Sequence, residues 1–276
     1  RLIGFGRYAG IVGCYNWFLM HGLRTKKYEL KAAHQCYDKK ELDQELKKVT
    51  LENSKIILTG SGRVGEGALE IIKQLNIQQV GLDSFLNDTF DYPVFAVLNT
   101  LDYNQRIDNK VSSKADFYKN PTAYQSTFGK YAAVADVFIA GHFYGNGSPF
   151  LFTREDAKKP SFKIRTVADI SCDIDGPVAS TIRPSTIADP IYGYNPFTEQ
   201  EDDFDKQDVI SVMAVDNLPC ELPRDASHHF GSVLIKSIFP ALLEEDTESI
   251  IERATICDNG ELSPHFQYLH QYVYGD

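Results

Sequence analysis

The chain is short of positive charge, of paired cysteines and of long apolar runs, and each shortage removes a class of function. It has 28 Lys and Arg against 38 Asp and Glu, a formal net charge of −10. Nucleic acid or an anionic membrane calls for a basic face, so neither is expected as a partner. Much of the acid sits in two runs, Glu199, Glu201, Asp202, Asp203, Asp205 and Glu244, Glu245, Asp246, Glu248. A solvated loop and a helix surface account for both. The five cysteines, Cys14, Cys36, Cys172, Cys220 and Cys257, are odd in number, widely spaced and form no CxxC. That pattern supplies no metal site and predicts reduced thiols in a cytoplasmic protein. The apolar run from Ile11 to Leu23 is too short, and too broken by Gly13, Asn16 and His21, to cross a bilayer. No secretory leader pattern, internal repeat or low-complexity tract is present, and nothing fixes an oligomeric state.

What is present is an ordinary globular composition, 43% hydrophobic and 24% charged over 276 residues, enough for one large α/β domain or two smaller ones. Its most informative stretch is Thr59-Gly60-Ser61-Gly62-Arg63-Val64-Gly65-Glu66-Gly67, a G-x-G-x-x-G run. Lys55 to Thr59 before it reads as a buried strand, and Ala68 to Leu75 after it has helical apolar spacing. A second strand candidate, Gln79 to Leu82, ends in Asp83, at the distance where a dinucleotide-binding unit carries an acid. Gly60 permits the tight turn, Gly62 lets the backbone approach a pyrophosphate, and Gly65 lets helix and strand pack closely. Free N–H groups at the helix start then hold the phosphate charge.

Arg1 to Leu23 is apolar on nearly every face and reads as a buried helix. Asp38 to Val49 reads as an exposed one. Further strands are expected at Val94–Leu98, Val137–Ala140, Ile164–Ile170 and Val209–Val215. Pro121 starts a helical pattern running to Ala135, Thr153 can cap a short helix, and Ile191 to Phe204 suggests a hairpin. Ala226 to Leu243 reads as one long helix. Short apolar strands alternating with helices predict a doubly wound parallel sheet of Rossmann type. Ligands then bind beyond the carboxyl ends of the strands, which here carry Gly60 to Gly62, Asp83, Gly141-His142, Ser171-Cys172-Asp173 and Asp216-Asn217.

Three further stretches, Arg1 to Gly10, Val167 to Asp173 and Val215 to Ser227, together with the glycine loop, carry a resemblance. The chain is similar to the lysine-forming saccharopine dehydrogenases and the lysine–oxoglutarate reductase domain, in the alanine dehydrogenase and transhydrogenase superfamily. Pro149 to Ala157 leans towards the reductase branch. The resemblance implies an NAD(P)-dependent oxidoreductase acting on the C–N bond of an amino acid, with a small-molecule amino-acid substrate in a cleft between two domains. By motif, Gly60, Gly62, Arg63 and Val64 would meet the pyrophosphate, and Asp83 the adenosine ribose. Phe143, Ile170, Val215, Asp216, Asn217 and Leu218 would line the nicotinamide side. Arg1, Phe5, Ser171, Cys172 and Asp173 would face the substrate. The family's catalytic lysine and histidine lie upstream of the Arg-x-x-x-Phe-Gly motif with which this chain begins. The expected organisation is therefore a helical segment over 1–50 leading to an absent upstream domain. A dinucleotide-binding domain over 51–220 comes next, then a C-terminal helical segment over 221–276 packing back towards the first.

Each residue also has a plainer reading. Asp83 is a turn acid unless the fingerprint context holds; as a ribose acceptor it favours NAD over NADP, although Arg63 keeps NADP open. Asp173 and Asp216 are ligand contacts or helix caps. Cys172 has no neighbouring base and reads as a small buried residue rather than a nucleophile. His142, at a strand end, is the histidine best placed to touch a ligand; His228 and His229 read as packing residues. Two other functions stay open, an alanine-dehydrogenase-like enzyme and a non-catalytic NAD-binding sensor module.

Overall fold

The apolar segment near the start folds into the buried helix that its composition predicts. In the computed structural model, which describes residues 2–275, helix α1 (Gly6–Thr25) is buried along most of its length. Helix α2 (Lys39–Glu45) is capped by the Asp38 carboxylate, which accepts from the Glu41 amide. The glycine-loop unit comes next as β1 (Lys55–Thr59), α3 (Arg63–Ile72) and β2 (Gln78–Gln79). Then come α4 (Leu82–Asn87), β3 (Val94–Leu98), β4 (Asn104–Arg106), α5 (Lys114–Lys119) and β5 (Tyr124–Ser126). Next are α6 (Gly129–Ala132), β6 (Val137–Ala140), α7 (Arg154–Ala157) and β7 (Thr166–Asp169). Strands β8 (Ile191–Asn195), β9 (Gln200–Asp202) and β10 (Ile210–Met213) complete the set.

The main sheet has eight strands in the order β2-β3-β1-β6-β7-β10-β8-β9. It is parallel from β2 to β10, while β8 runs antiparallel to both its neighbours. The doubly wound, Rossmann-type α/β architecture is thus present, with an antiparallel hairpin at one edge. Central strands β6, β7 and β10 are buried throughout, which is why they read as continuous apolar runs. Chain order reverses between β1 and β6, and that is the topological switch point where such sheets bind ligands.

Helices α1 and α3 cross with their backbones in contact. A Cβ on Gly10 would lie 1.9 Å from the Val64 carbonyl oxygen, and one on Gly67 would lie 2.0 Å from that of Arg7. The Arg7 guanidinium locks the pair, donating to both Glu70 oxygens at 2.6 and 2.8 Å. At the sheet, the Trp17 indole donates to Thr166 Oγ1 at 3.0 Å.

Three expectations change. The strand after α3 stops at Gln79, and Leu82 already begins α4. Its two exposed glutamines cannot fill a central position, so β2 takes the edge and the apolar β3 lies beside β1. The pattern from Pro121 to Ala135 is not one helix but a turn of 3-10 helix, the short strand β5 and α6. The third concerns the segment from Pro223 to Leu243. It is helical but interrupted: α8 (Pro223–Val233) passes through a π-helical stretch, Leu234–Ile238, into α9 (Phe239–Leu243). The π stretch directly precedes α9, whose second residue, Pro240, has no N–H to donate.

The described residues form two compact units. Phe5–Arg224 contains the whole sheet with α1. The other comprises residues 2–4 and the chain from Asp225 onward, including α10 (Ile250–Ala254), the hairpin β11 (Cys257–Asp258) with β12 (Glu261–Leu262), and α11 (His270–Tyr274).

Candidate dinucleotide site

The glycine loop is shaped by contacts that leave no room for side chains. Gly60 has φ of +93°, and a Cβ there would lie 2.4 Å from the Gly141 carbonyl oxygen. A Cβ on Gly65 would lie 2.0 Å from the Gly60 carbonyl oxygen, so α3 can start this close to β1 only without one. Gly62 differs: its backbone is extended, and a Cβ there would meet nothing within 4 Å. Its glycine faces open space. No side chain caps α3, and the first turn of a helix offers no intrahelical acceptors for its own N–H groups.

That helix start opens on a cleft of about 480 Å³ at the switch point. One wall is Gly60, Ser61, Gly62 and Val64; a second is Gly141, His142, Phe143 and Tyr144, with Ser171 and Asp173. The third is Thr100, Tyr103, Lys114 and Tyr118, from the segment after β3. His142 is buried, with Nδ1 2.9 Å from Thr59 Oγ1. Burial lowers its pKa to about 4, so the ring is neutral at physiological pH and a poor proton carrier there. Phe143 is 74% exposed, a free aromatic face on the rim.

The Ser171 to Asp173 turn is held from below by a buried carboxylate. Asp169, at the end of β7, accepts from Ser171 Oγ at 2.5 Å, the Cys172 amide at 3.1 Å and Thr181 Oγ1 at 2.6 Å. Burial raises its pKa, against these three hydrogen bonds. Cys172 sits in the left-handed region with φ of +52°. Its Sγ is 3.0 Å from the Ala214 carbonyl, and burial pushes the thiol up to about 12. A thiol raised in this way carries little thiolate at neutral pH. Burial also raises the Asp173 carboxyl.

Of the residues singled out from sequence, Gly60, Gly62, Val64, Phe143, Ser171 and Asp173 line this cleft. Arg63 begins α3 but is not part of the lining. Asp83 is exposed in the first turn of α4, accepting from Asn87 Nδ2 at 3.0 Å. It follows an edge strand, whereas β3, beside β1, ends at Leu98 and is followed by Asn99. Ile170 and Leu218 are buried, packed so tightly on α1 that a Cβ on Gly13 would lie 2.6 Å from Ile170 and 3.1 Å from Leu218. Val215 is buried, while Asp216, Asn217 and Phe5 are exposed outside the lining. Arg1 lies outside the described residues. Sequence reasoning missed Thr100, Tyr103, Lys114 and Tyr118, which fall in a polar segment with no clear periodicity. Among the described residues no group of His, Cys, Asp and Glu could hold a metal ion, and no helix is long and apolar enough to cross a membrane.

Sequence comparison adds to this geometry. The chain is 26% identical over 313 residues to an alpha-aminoadipic semialdehyde synthase of Arabidopsis thaliana, covering 98% of this chain and 29% of the relative. It is 25% identical over 271 residues to saccharopine dehydrogenase [NAD(+), L-lysine-forming] of Schizosaccharomyces pombe, covering 92% and 62%. The mitochondrial alpha-aminoadipic semialdehyde synthase of Mus musculus aligns at 23% identity over 98% of the chain and 34% of its own length. The chain thus spans about a third of the length of the alpha-aminoadipic semialdehyde synthases it matches. A solved L-alanine dehydrogenase is similar over 97% of this chain and 64% of its own, with a TM-score of 0.49 and 15% identity. No family model matches.

Proposed function

We propose that this chain is the cofactor-binding part of an NAD(P)-dependent oxidoreductase that acts on the C–N bond of an amino acid, of the saccharopine dehydrogenase or lysine–oxoglutarate reductase type. The observation that carries this is the uncapped start of α3, opening through Gly60 and Gly62 on a cleft at the switch point of the sheet. The empty space at Gly62 and the close approaches at Gly60 and Gly65 fit a pyrophosphate laid against backbone. The bound nicotinamide supplies hydride transfer, and the protein's task is placement and electrostatics.

In this reading Gly60, Gly62 and Val64 hold the pyrophosphate, with the Arg63 amide at the helix start. Phe143 packs at the nicotinamide end, and Ser171 and Asp173 turn towards the small amino-acid substrate. Asp169 keeps that turn in place without touching a ligand. NAD is supported by the name of the fission-yeast relative. NADP stays within reach, because neutral Asn99, not an acid, follows the strand beside β1. Five free cysteines support work in a reducing, cytoplasmic setting.

The test is to assay the intact protein for reduction of NAD and NADP with saccharopine and with alanine side by side. Saccharopine-dependent reduction is expected. Activity with alanine alone, or with neither, would overturn the assignment.

A further inference from the structure

Between β3 and β6 the chain builds a small substructure of its own. Strands β4 and β5 pair antiparallel, Asn104 to Ser126 and Arg106 to Tyr124, and α5 lies within the loop that joins them. An ionic cluster ties this helix to the hairpin. Arg106 donates to both Asp108 oxygens at 2.8 Å and, by Nη1, to Asp116 Oδ2. Tyr124 OH donates to the same Asp116 oxygen at 2.8 Å, and Asn120 Nδ2 to the other at 2.9 Å. Ser113 Oγ accepts from the Asp116 amide at 3.1 Å and so caps the helix start. Phe117 is buried edge-on against Tyr124 below the cluster, with ring centroids 5.1 Å apart.

The helix fixed in this way places Lys114 and Tyr118 in the lining of the cleft that also holds Gly60 to Gly62 and Gly141 to Tyr144. Lys114 is the one permanently cationic side chain among the lining residues. It is exposed, and among the described residues it has no ion-pair partner within 4 Å. Asp108 and Asp116 are engaged with Arg106, and Asp102 with the Asn99 amide at 2.6 Å; Asp173, the one acid of the lining, makes no ion pair with Lys114, and burial raises its carboxyl. An ammonium without an ion-pair partner, in the lining of a cleft that also holds the start of α3, calls for an anion.

We propose that Lys114 is a phosphate-binding residue of the dinucleotide cleft, and that the Arg106, Asp116 and Tyr124 cluster is the positioning device that holds it there. This rests on the dinucleotide reading above. The phosphate is either the pyrophosphate or a 2′-phosphate on the adenosine ribose, and these are separable by experiment.

The experiment is calorimetric titration of the protein with NADH and with NADPH, using wild type, Lys114→Ala, Lys114→Arg and Arg106→Gln. Lys114→Ala should weaken binding about tenfold, as expected for a charge-assisted contact, and Lys114→Arg should restore most of it. Loss for NADPH alone assigns the 2′-phosphate; equal loss for both assigns the pyrophosphate. Because Lys114 is exposed, its variants should melt like wild type. Arg106→Gln should weaken binding similarly, and adding Lys114→Ala to it should cost little more. Unchanged affinity in Lys114→Ala overturns the proposal, and unchanged affinity in Arg106→Gln overturns the positioning role. If wild type binds neither dinucleotide, the fault lies in the dinucleotide reading itself.

Discussion

Replacing Gly62 by alanine separates the folding role of the glycine loop from its binding role. In the free protein the new methyl meets no heavy atom within 4 Å. The backbone there, φ −90° and ψ −170°, suits alanine. Two small terms then oppose each other. Alanine at a helix N-cap is worse than glycine by about 0.5–1 kcal/mol, while the smaller entropy of the unfolded chain returns about 0.4–1 kcal/mol. They cancel to within about 0.5 kcal/mol, a melting shift of no more than about 2 °C. The same methyl occupies the side from which a pyrophosphate would approach, and overpacking of about 1–3 kcal/mol corresponds to a loss of about fivefold to 150-fold in affinity. Gly65→Ala is the contrasting case. Its methyl would lie 2.0 Å from the Gly60 carbonyl oxygen, so α3 must retreat by roughly 1 Å and both stability and binding fall. Thermal melts without ligand and calorimetry with NADH measure the two effects. A Gly62→Ala protein that loses stability but keeps its affinity would refute the reasoning.

Other expectations test the frame around the loop. Gly10→Ala forces a methyl to 1.9 Å from the Val64 carbonyl oxygen between α1 and α3. It should cost about 2–4 kcal/mol in a urea titration; a loss under about 0.5 kcal/mol would mean the helices part freely. Asp169→Ala removes the acceptor of three donors, of which the Thr181 hydroxyl is buried, and should cost about 2–4 kcal/mol by the same titration. Glu221 is buried against α1, accepting from Asn16 Nδ2 at 2.8 Å, and burial raises its carboxyl from 4.5 to about 7. A raised folded pKa means the protonated form is favoured by folding. Its stabilisation is complete below pH 4.5 and is lost as pH rises through 7, by about 3 kcal/mol at most. Glu221→Gln should therefore flatten the fall in melting temperature between pH 5 and pH 8; an unchanged slope would place the titration elsewhere.

Local features of the fold could be read directly from sequence. Lys55–Thr59, Val94–Leu98 and Val137–Ala140 are strands at the residues expected, because each is a short apolar run bounded by polar or turn residues. The capping box at Thr153 and Asp156 likewise needs only neighbours. The features that escaped depend on distant partners. Sheet order turns on competition between β2 and β3 for the place beside β1, and two polar residues lose to five largely apolar ones. Asp83 matched a fingerprint spacing yet follows the edge strand, since spacing along the chain does not report strand order. The segment holding Lys114 gave no periodic signal because an ionic cluster, not an apolar face, fixes much of its shape.

A crystal structure of this chain with NADH bound bears most directly on the central claim. The account predicts a pyrophosphate against the Gly62 and Arg63 amides at the start of α3, with the nicotinamide extending past Phe143 towards Ser171 and Asp173. A dinucleotide seated elsewhere, with the cleft between β1 and β6 empty at saturating NADH, would contradict it.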